Sequence, residues 1–201
     1  MPTQQIVDLQ QEMLHPVVDN VRRHYAAAQG SNNGPGTYSK HDWARISHAF
    51  NRIEPAESVL EVGIGSGQLI NALALSGRFD CVAGLDIAIH SKFMRLSPSY
   101  EVRLESIDNA SFADDSFDCV ICMEVLEHVN RSIFIRGLDQ LRRMCRRQLI
   151  MTVPYNEPLP LPSYHKLQFT PEDIEQHFPG ATRYMLQKPN VPWMLLEERF
   201  S

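Results

Sequence analysis

Glycines recur at alternate positions in Glu61-Val62-Gly63-Ile64-Gly65-Ser66-Gly67, and a helix-like stretch follows at once. Such a run allows a tight turn, lets a ligand approach the backbone closely and offers it the free N–H groups of a helix start. Nineteen residues after Gly67, Asp86 closes the run CVAGLD, where a carboxylate can accept hydrogen bonds from both ribose hydroxyls. The two features together imply a nucleoside-containing cofactor; the triplet alone could be a plain turn. Gln68 stands where a dinucleotide fingerprint would approach its next glycine, and no basic group is placed for a pyrophosphate, which argues against nicotinamide or flavin. His165, in SYHKLQFT, either acts as a general base or fixes its loop by hydrogen bonds. His128 orders a turn more readily than it serves as a base. No close His/Asp/Glu cluster points to a metal, so none is expected. Cys119 and Cys122 have C-x-x-C spacing, but on a strand they face opposite sides, which disfavours chelation or a shared disulfide. The cysteines read as reduced thiols in a cytoplasmic protein.

These residues need elements to position them. From residue 58, β-rich runs alternate with helical ones: SVLEVG and SGQLINALAL, FDCVAGLDI, YEVRLES, FDCVICME and RSIFIRGLDQLRRMC, RQLIMTVP. Two further strand candidates, TRYMLQK and WMLLEERF, bring the count to seven. Strands apolar enough to be covered on both faces predict a mostly parallel sheet in an α/β fold, with ligands beyond the strands' carboxyl ends. Thr170-Pro171 with Asp173 predicts a capped helix. Residues 1–53 read as a helical N-terminal cap of the same domain, and 54–201 as the core. Ile6, Leu9, Met13, Val17 and Val21 form one helical stripe, with a kink or a fresh start at Pro16. The segment 30–36 is a loop by composition, and Ser39 with Asp42 predicts a capping box opening a helix whose apolar face is Trp43, Ile46, Phe50 and Ile53. Arg45 either reaches a carboxylate or stays solvated. Tyr155 and Asn156 could line an acceptor pocket or simply be loop residues.

At 201 residues, 43% hydrophobic and 21% charged, the chain is sized for one domain with a full core. Its apolar runs are too short for a membrane helix, and the N-terminus lacks a secretory pattern. The net charge of −5 and the single basic cluster of Arg142, Arg143, Arg146 and Arg147, read as a solvated helix face, make a nucleic-acid partner unlikely.

VLEVGIGSG, GLDIA, SFADDSFDCVICMEVLEHV and LIMTVP, in this order and spacing, resemble the class I S-adenosylmethionine-dependent methyltransferases. The likeness is to the small-molecule enzymes with a V-L-E-H-V segment, and it covers residues 57–178. It implies a Rossmann-like, doubly wound sheet and S-adenosylmethionine as cofactor. By the same resemblance, Glu61 lies near the methionyl end, and Gly63, Gly65 and Gly67 form the floor under the methionyl group and ribose. Asp86 holds the ribose, Ile87 packs on the adenine, Ser106 and Ile107 meet its edge, and Met123 and Glu124 border the methionyl group. The family often has Asp where Ser106 stands, so Asp108 is an alternative adenine contact. The usual Gly-Gly turn before LIMTVP is replaced by MCRRQ.

The activity so implied is methyl transfer to a small-molecule acceptor at a hydroxyl oxygen, on a sugar, lipid or natural-product intermediate, with His165 as base. The alternatives are a methyltransferase acting on RNA or protein, and a non-catalytic protein that binds the same cofactor. An oxidoreductase is a further alternative that nicotinamide binding would reveal.

Overall fold

The computed structural model describes residues 4–29 and 38–201; the loop expected at 30–36 lies outside the described residues. The described elements are β1 (Gln4–Asp8), α1 (Pro16–Gln29), α2 (Lys40–Arg52), β2 (Ser58–Val62), α3 (Gln68–Leu75), β3 (Cys81–Asp86) and β4 (Glu101–Leu104). They continue with β5 (Phe117–Met123), α4 (Arg131–Met144), β6 (Cys145–Pro154), α5 (Pro171–His177), β7 (Thr182–Gln187) and β8 (Trp193–Arg199). The strands form one sheet in the order β1-β7-β8-β6-β5-β2-β3-β4. All pairs are parallel except those of β8, which runs antiparallel between β6 and β7. The fold is Rossmann-like, as expected, but the sheet has eight strands rather than seven.

The extra strand comes from the segment expected to be helical. Gln4–Asp8 pairs in parallel with Arg183–Gln187 along an edge of β7. Ile6 and Met13, assigned above to a helical stripe, are 63% and 86% exposed, whereas Leu9, Val18 and Val21 are buried. A parallel edge satisfied by β1 outweighs a helix that Pro16 would interrupt, and Pro16 instead opens α1. Ser39 caps α2 through the expected capping box with Asp42, and Trp43, Ile46, Phe50 and Ile53 are buried. Thr170 caps α5 in the same way.

Two apolar layers cover the sheet. One joins α1, α2 and α3 through Val21, Trp43, Phe50 and Leu69; the other joins α4 and α5 through Phe134, Leu141 and Ile174. Cys119 belongs to the first layer and Cys122 to the second, so they do face opposite sides, and all four cysteines are free. The four arginines expected on one helix face are divided: α4 ends at Met144 and passes directly into β6, which carries Arg146 and Arg147. Arg142, Arg143 and Arg146 pair with Glu198, Asp114 and Asp118. Among the described residues, no helix is long and apolar enough to cross a membrane.

α3 lies close to β3 because Gly84 has no side chain there. A Cβ at Gly84 would come within 2.7 Å of both Ile64 Cγ2 and Ile70 Cδ1. Both isoleucines are buried, so neither has free space to move into. Gly84→Ala is expected to destabilise the protein by about 1–3 kcal/mol, read as a lowered urea midpoint with an unchanged slope.

Candidate active site

The order of strands reverses at β2, which has β3 on one side and β5 on the other, and both connections leave from their carboxyl ends. Here an α/β sheet opens a crevice. A cleft of about 400 Å³ fills it, lined by Gly63, Gly65, Asp86, Ile87, Ser106, Ile107 and Glu124 from the expected set. Val125, His128, Asn130, Ile133 and Lys166 also line it. Glu61, Gly67 and Met123 do not line it: Glu61 is buried, Gly67 precedes α3, and Met123 packs against the α1–α3 layer.

The glycine run is built as its spacing requires. Gly63, Gly65 and Gly67 have φ of 78°, 50° and 95°, the left-handed region where side chains are strained. At Gly63 a Cβ would also overlap the Val125 side chain. Asp86 holds the turn in place, its Oδ2 accepting from the Gly65 amide (3.0 Å) and its Oδ1 from the Ile87 amide (2.7 Å). From the other side, the Tyr25 hydroxyl donates to the Ser66 carbonyl (2.5 Å), and the Asn71 amide donates to Gly67 (2.7 Å) and Met94 (2.6 Å) carbonyls. One Glu61 oxygen, Oε2, is buried with no partner. Burial, and then the charge of Asp86, push the Glu61 carboxyl well above its ordinary pKa. An orphaned acid beneath the glycine turn is a fitting neighbour for a cationic ligand. Ser106 donates to Asp108, which also pairs with Arg136 at 2.6 Å, so Asp108 is committed away from the cleft.

A second cavity, of about 500 Å³, adjoins the first, and Glu124 and His128 line both. Its walls include Tyr38, Arg45, Glu127, Glu157, Tyr164, His165, Lys188 and Trp193. Tyr155 and Asn156 are not among them. Arg45, for which solvation was one expectation, is 5% exposed. It pairs with Glu124 (3.3 Å) and Asp42 (3.4 Å), and its guanidinium stands 4.4 Å from the centre of the Trp193 ring. Glu124 itself has φ of 55°. The Glu124 amide bond to Thr152 O (3.0 Å), the Thr152 hydroxyl (2.9 Å) and Arg45 hold this backbone in place.

Contrary to the expectation of no metal-like cluster, the chain brings one together. Glu127, His128 and His165 each offer a donor atom within 4.8 Å of the others. The cause is backbone pairing: the Glu127 carbonyl accepts from the amides of Lys166 (2.7 Å) and Leu167 (3.2 Å), which places His165 beside the turn after β5. Both Glu127 carboxylate oxygens are buried without a hydrogen-bond partner. Burial and the neighbouring Glu124 push that carboxyl well above the usual range. His128 Nδ1 meets the Tyr164 carbonyl (3.0 Å) and His165 Nδ1 meets Glu157 Oε2 (2.6 Å), which leaves each Nε2 as the nitrogen open to a ligand. One carboxylate and two imidazoles, each oriented through its second nitrogen, suit a divalent cation. The sequence signal was there in Glu124-x-x-Glu127-His128, three donors on one turn. What the sequence lacked was the link to His165.

The sequence model of the family described as "Methyltransferase domain" matches residues 59–148. A ubiquinone biosynthesis O-methyltransferase of Xanthomonas axonopodis pv. citri is 36% identical over 95 residues, 42% of this chain and 38% of that protein. The match thus spans well under half the length of that relative. Among solved structures, small RNA methyltransferase HEN1 superposes with a TM-score of 0.68 at 17% identity, over 84% of this chain and 26% of that one. Magnesium protoporphyrin IX methyltransferase of Synechocystis PCC 6803, solved with S-adenosylmethionine bound, has a TM-score of 0.60 at 17% identity, over 93% and 98%. With the glycine turn and the switch-point cleft on the same strands, residues 59–148 match a methyltransferase domain of the S-adenosylmethionine-dependent type, and the fold around them is the one that such methyltransferases share.

Proposed function

We propose that the chain transfers the methyl group of S-adenosylmethionine to a hydroxyl oxygen of a compact acceptor. The observation that carries this reading is that the two cavities meet at Glu124 and His128, so a cofactor in the first cleft would present its methyl group to the second. Gly63, Gly65 and Gly67 would floor the methionyl group and ribose, and Asp86 would hold the ribose. Ile87, Ser106 and Ile107 would border the adenine, Met123 and Glu124 the methionyl group, and buried Glu61 would face the charge of the ammonium. The curated relatives are named O-methyltransferases, which supports oxygen as the methylated atom.

The sulfonium is already an activated donor, so the protein's work is alignment, worth on the order of 7–11 kcal/mol at best. A hydroxyl acceptor also has to lose its proton. Glu127, His128 and His165 would hold a divalent cation, which lowers the pKa of a hydroxyl bound to it. His165 with Glu157 supports a second reading, a histidine base oriented by a carboxylate, because their 2.6 Å bond has the form of such a dyad. In either case, Arg45 and Thr152 keep Glu124 oriented at the junction of the two spaces. A compact acceptor rather than RNA is supported by the pairing of Arg142, Arg143 and Arg146 with acids.

Incubation with methyl-labelled cofactor and a metabolite extract should place label in small-molecule methyl ethers; label in RNA or protein instead would refute the assignment. Asp86→Ala is expected to weaken S-adenosylmethionine binding by about 1–3 kcal/mol in calorimetry. Glu127→Gln and His165→Ala should each cut transfer by about 100-fold with cofactor affinity retained. A chelator should reproduce that loss if a cation is held there, and should have no effect if His165 works with Glu157 alone.

The raised Glu61 pKa has a pH signature. A carboxyl that is neutral in the fold but ionises normally when unfolded contributes stability at acid pH, which is lost as pH rises through its folded pKa. Glu61→Gln should therefore flatten the decline in melting temperature of the cofactor-free protein above the ordinary carboxylate range, while weakening cofactor binding. Melts across pH, with and without cofactor, measure both effects.

A further inference from the structure

We infer that the acceptor carries a carboxylate, and that Lys188 is the residue that recognises it; this inference rests on the methyl-transfer reading of the adjoining cavities. Every other charged side chain of the second cavity is either committed to a neighbour or part of the Glu127 cluster. Asp42 and Glu124 pair with Arg45, and Glu157 pairs with His165. Lys188 lines the same cavity, and its ammonium rests 4.2 Å from the centre of the Trp193 ring. It forms no ion pair with any carboxylate of the described residues.

The position of Lys188 is prepared. It follows Gln187 at the end of β7, in the turn Lys188-Pro189-Asn190-Val191-Pro192 that leads into β8. Two prolines and Asn190, with φ of 73°, restrict that turn. Burial lowers the pKa of the ammonium, against the pull of Glu124, Asp42 and Glu157. A partly buried cation with a ring beside it and no anion in contact is matched by an anion on the ligand. The three nearby carboxylates favour a singly charged group over a dianionic phosphate. The hydroxyl end would lie at Glu127, His128 and His165, so hydroxyl and carboxylate belong to one small molecule within about 500 Å³. Trp193, Tyr38 and Tyr164 add aromatic surface to the same cavity.

The probes are 3,4-dihydroxybenzoate, its neutral counterpart catechol, and 2-hydroxyphenyl phosphate, each titrated by calorimetry into protein saturated with S-adenosylhomocysteine. Wild type should bind the benzoate about 10-fold or more tightly than catechol. Lys188→Met should remove that preference, and Lys188→Arg should restore most of it. An equal preference in wild type and Lys188→Met overturns the inference, as does tighter binding of the phosphate or no binding of the benzoate to wild type. Binding needs no turnover, so a benzoate held through Lys188 but never methylated counts against the methyl-transfer reading and leaves Lys188 as an acid-recognition residue.

Discussion

The Glu127 carbonyl accepts two backbone amides, those of Lys166 and Leu167, and the second cavity depends on this fork. It ties the loop after β6 to the 3₁₀ turn after β5 and sets His165 beside His128 and Glu127. Both segments leave carboxyl ends of adjacent parallel strands, so the sheet supplies a fixed base and the fork sets the spacing above it. The side-chain bonds that follow, His128 to Tyr164 and His165 to Glu157, orient rings that the backbone has already brought together. Rigid elements carrying short loops are the general means by which such a constellation is held to tolerance.

The cofactor side is held by different means. The glycine turn is backbone with little side chain of its own, and its shape is imposed from two directions. Asp86 reaches it from the end of β3, and Tyr25 with Asn71 reaches it from α1 and α3. The Tyr100 hydroxyl and the Leu96 amide also donate to Asn71 Oδ1, so a single buried side-chain amide joins the turn to the segment before β4. A network of this kind is strong only when each member is satisfied. Glu61, at the start of the glycine run, stands outside this network, with Oε2 buried and unpartnered.

What could be read from the sequence was local. The glycine run, Asp86 and both capping boxes are defined by residues within a few positions of one another, and the alternation of apolar runs fixed the α/β class. The N-terminal strand escapes a local reading because Ile6, Leu9, Met13, Val17 and Val21 satisfy helical spacing, while the edge of β7 that claims Gln4–Asp8 lies 179 residues away in the chain. Arg45 defeated a local reading for a like reason, since its partners Glu124, Thr152 and Trp193 come from other strands. The Glu127–His165 cluster was hidden because a backbone hydrogen bond has no sequence signature. Lys188 carried no signal at all; its interest comes from the commitments of its neighbours.

β1 also changes how the sheet meets solvent. It pairs along the whole of Arg183–Gln187 and so covers an edge whose Tyr184 and Leu186 are buried. The replacement edge is five residues long and polar at Gln4, Gln5 and Asp8, a short and hydrophilic rim of the sort that discourages strand-to-strand aggregation. Trimming the chain back to Leu9 would bare the longer, greasier border beneath, trading a tolerant margin for one prone to self-association.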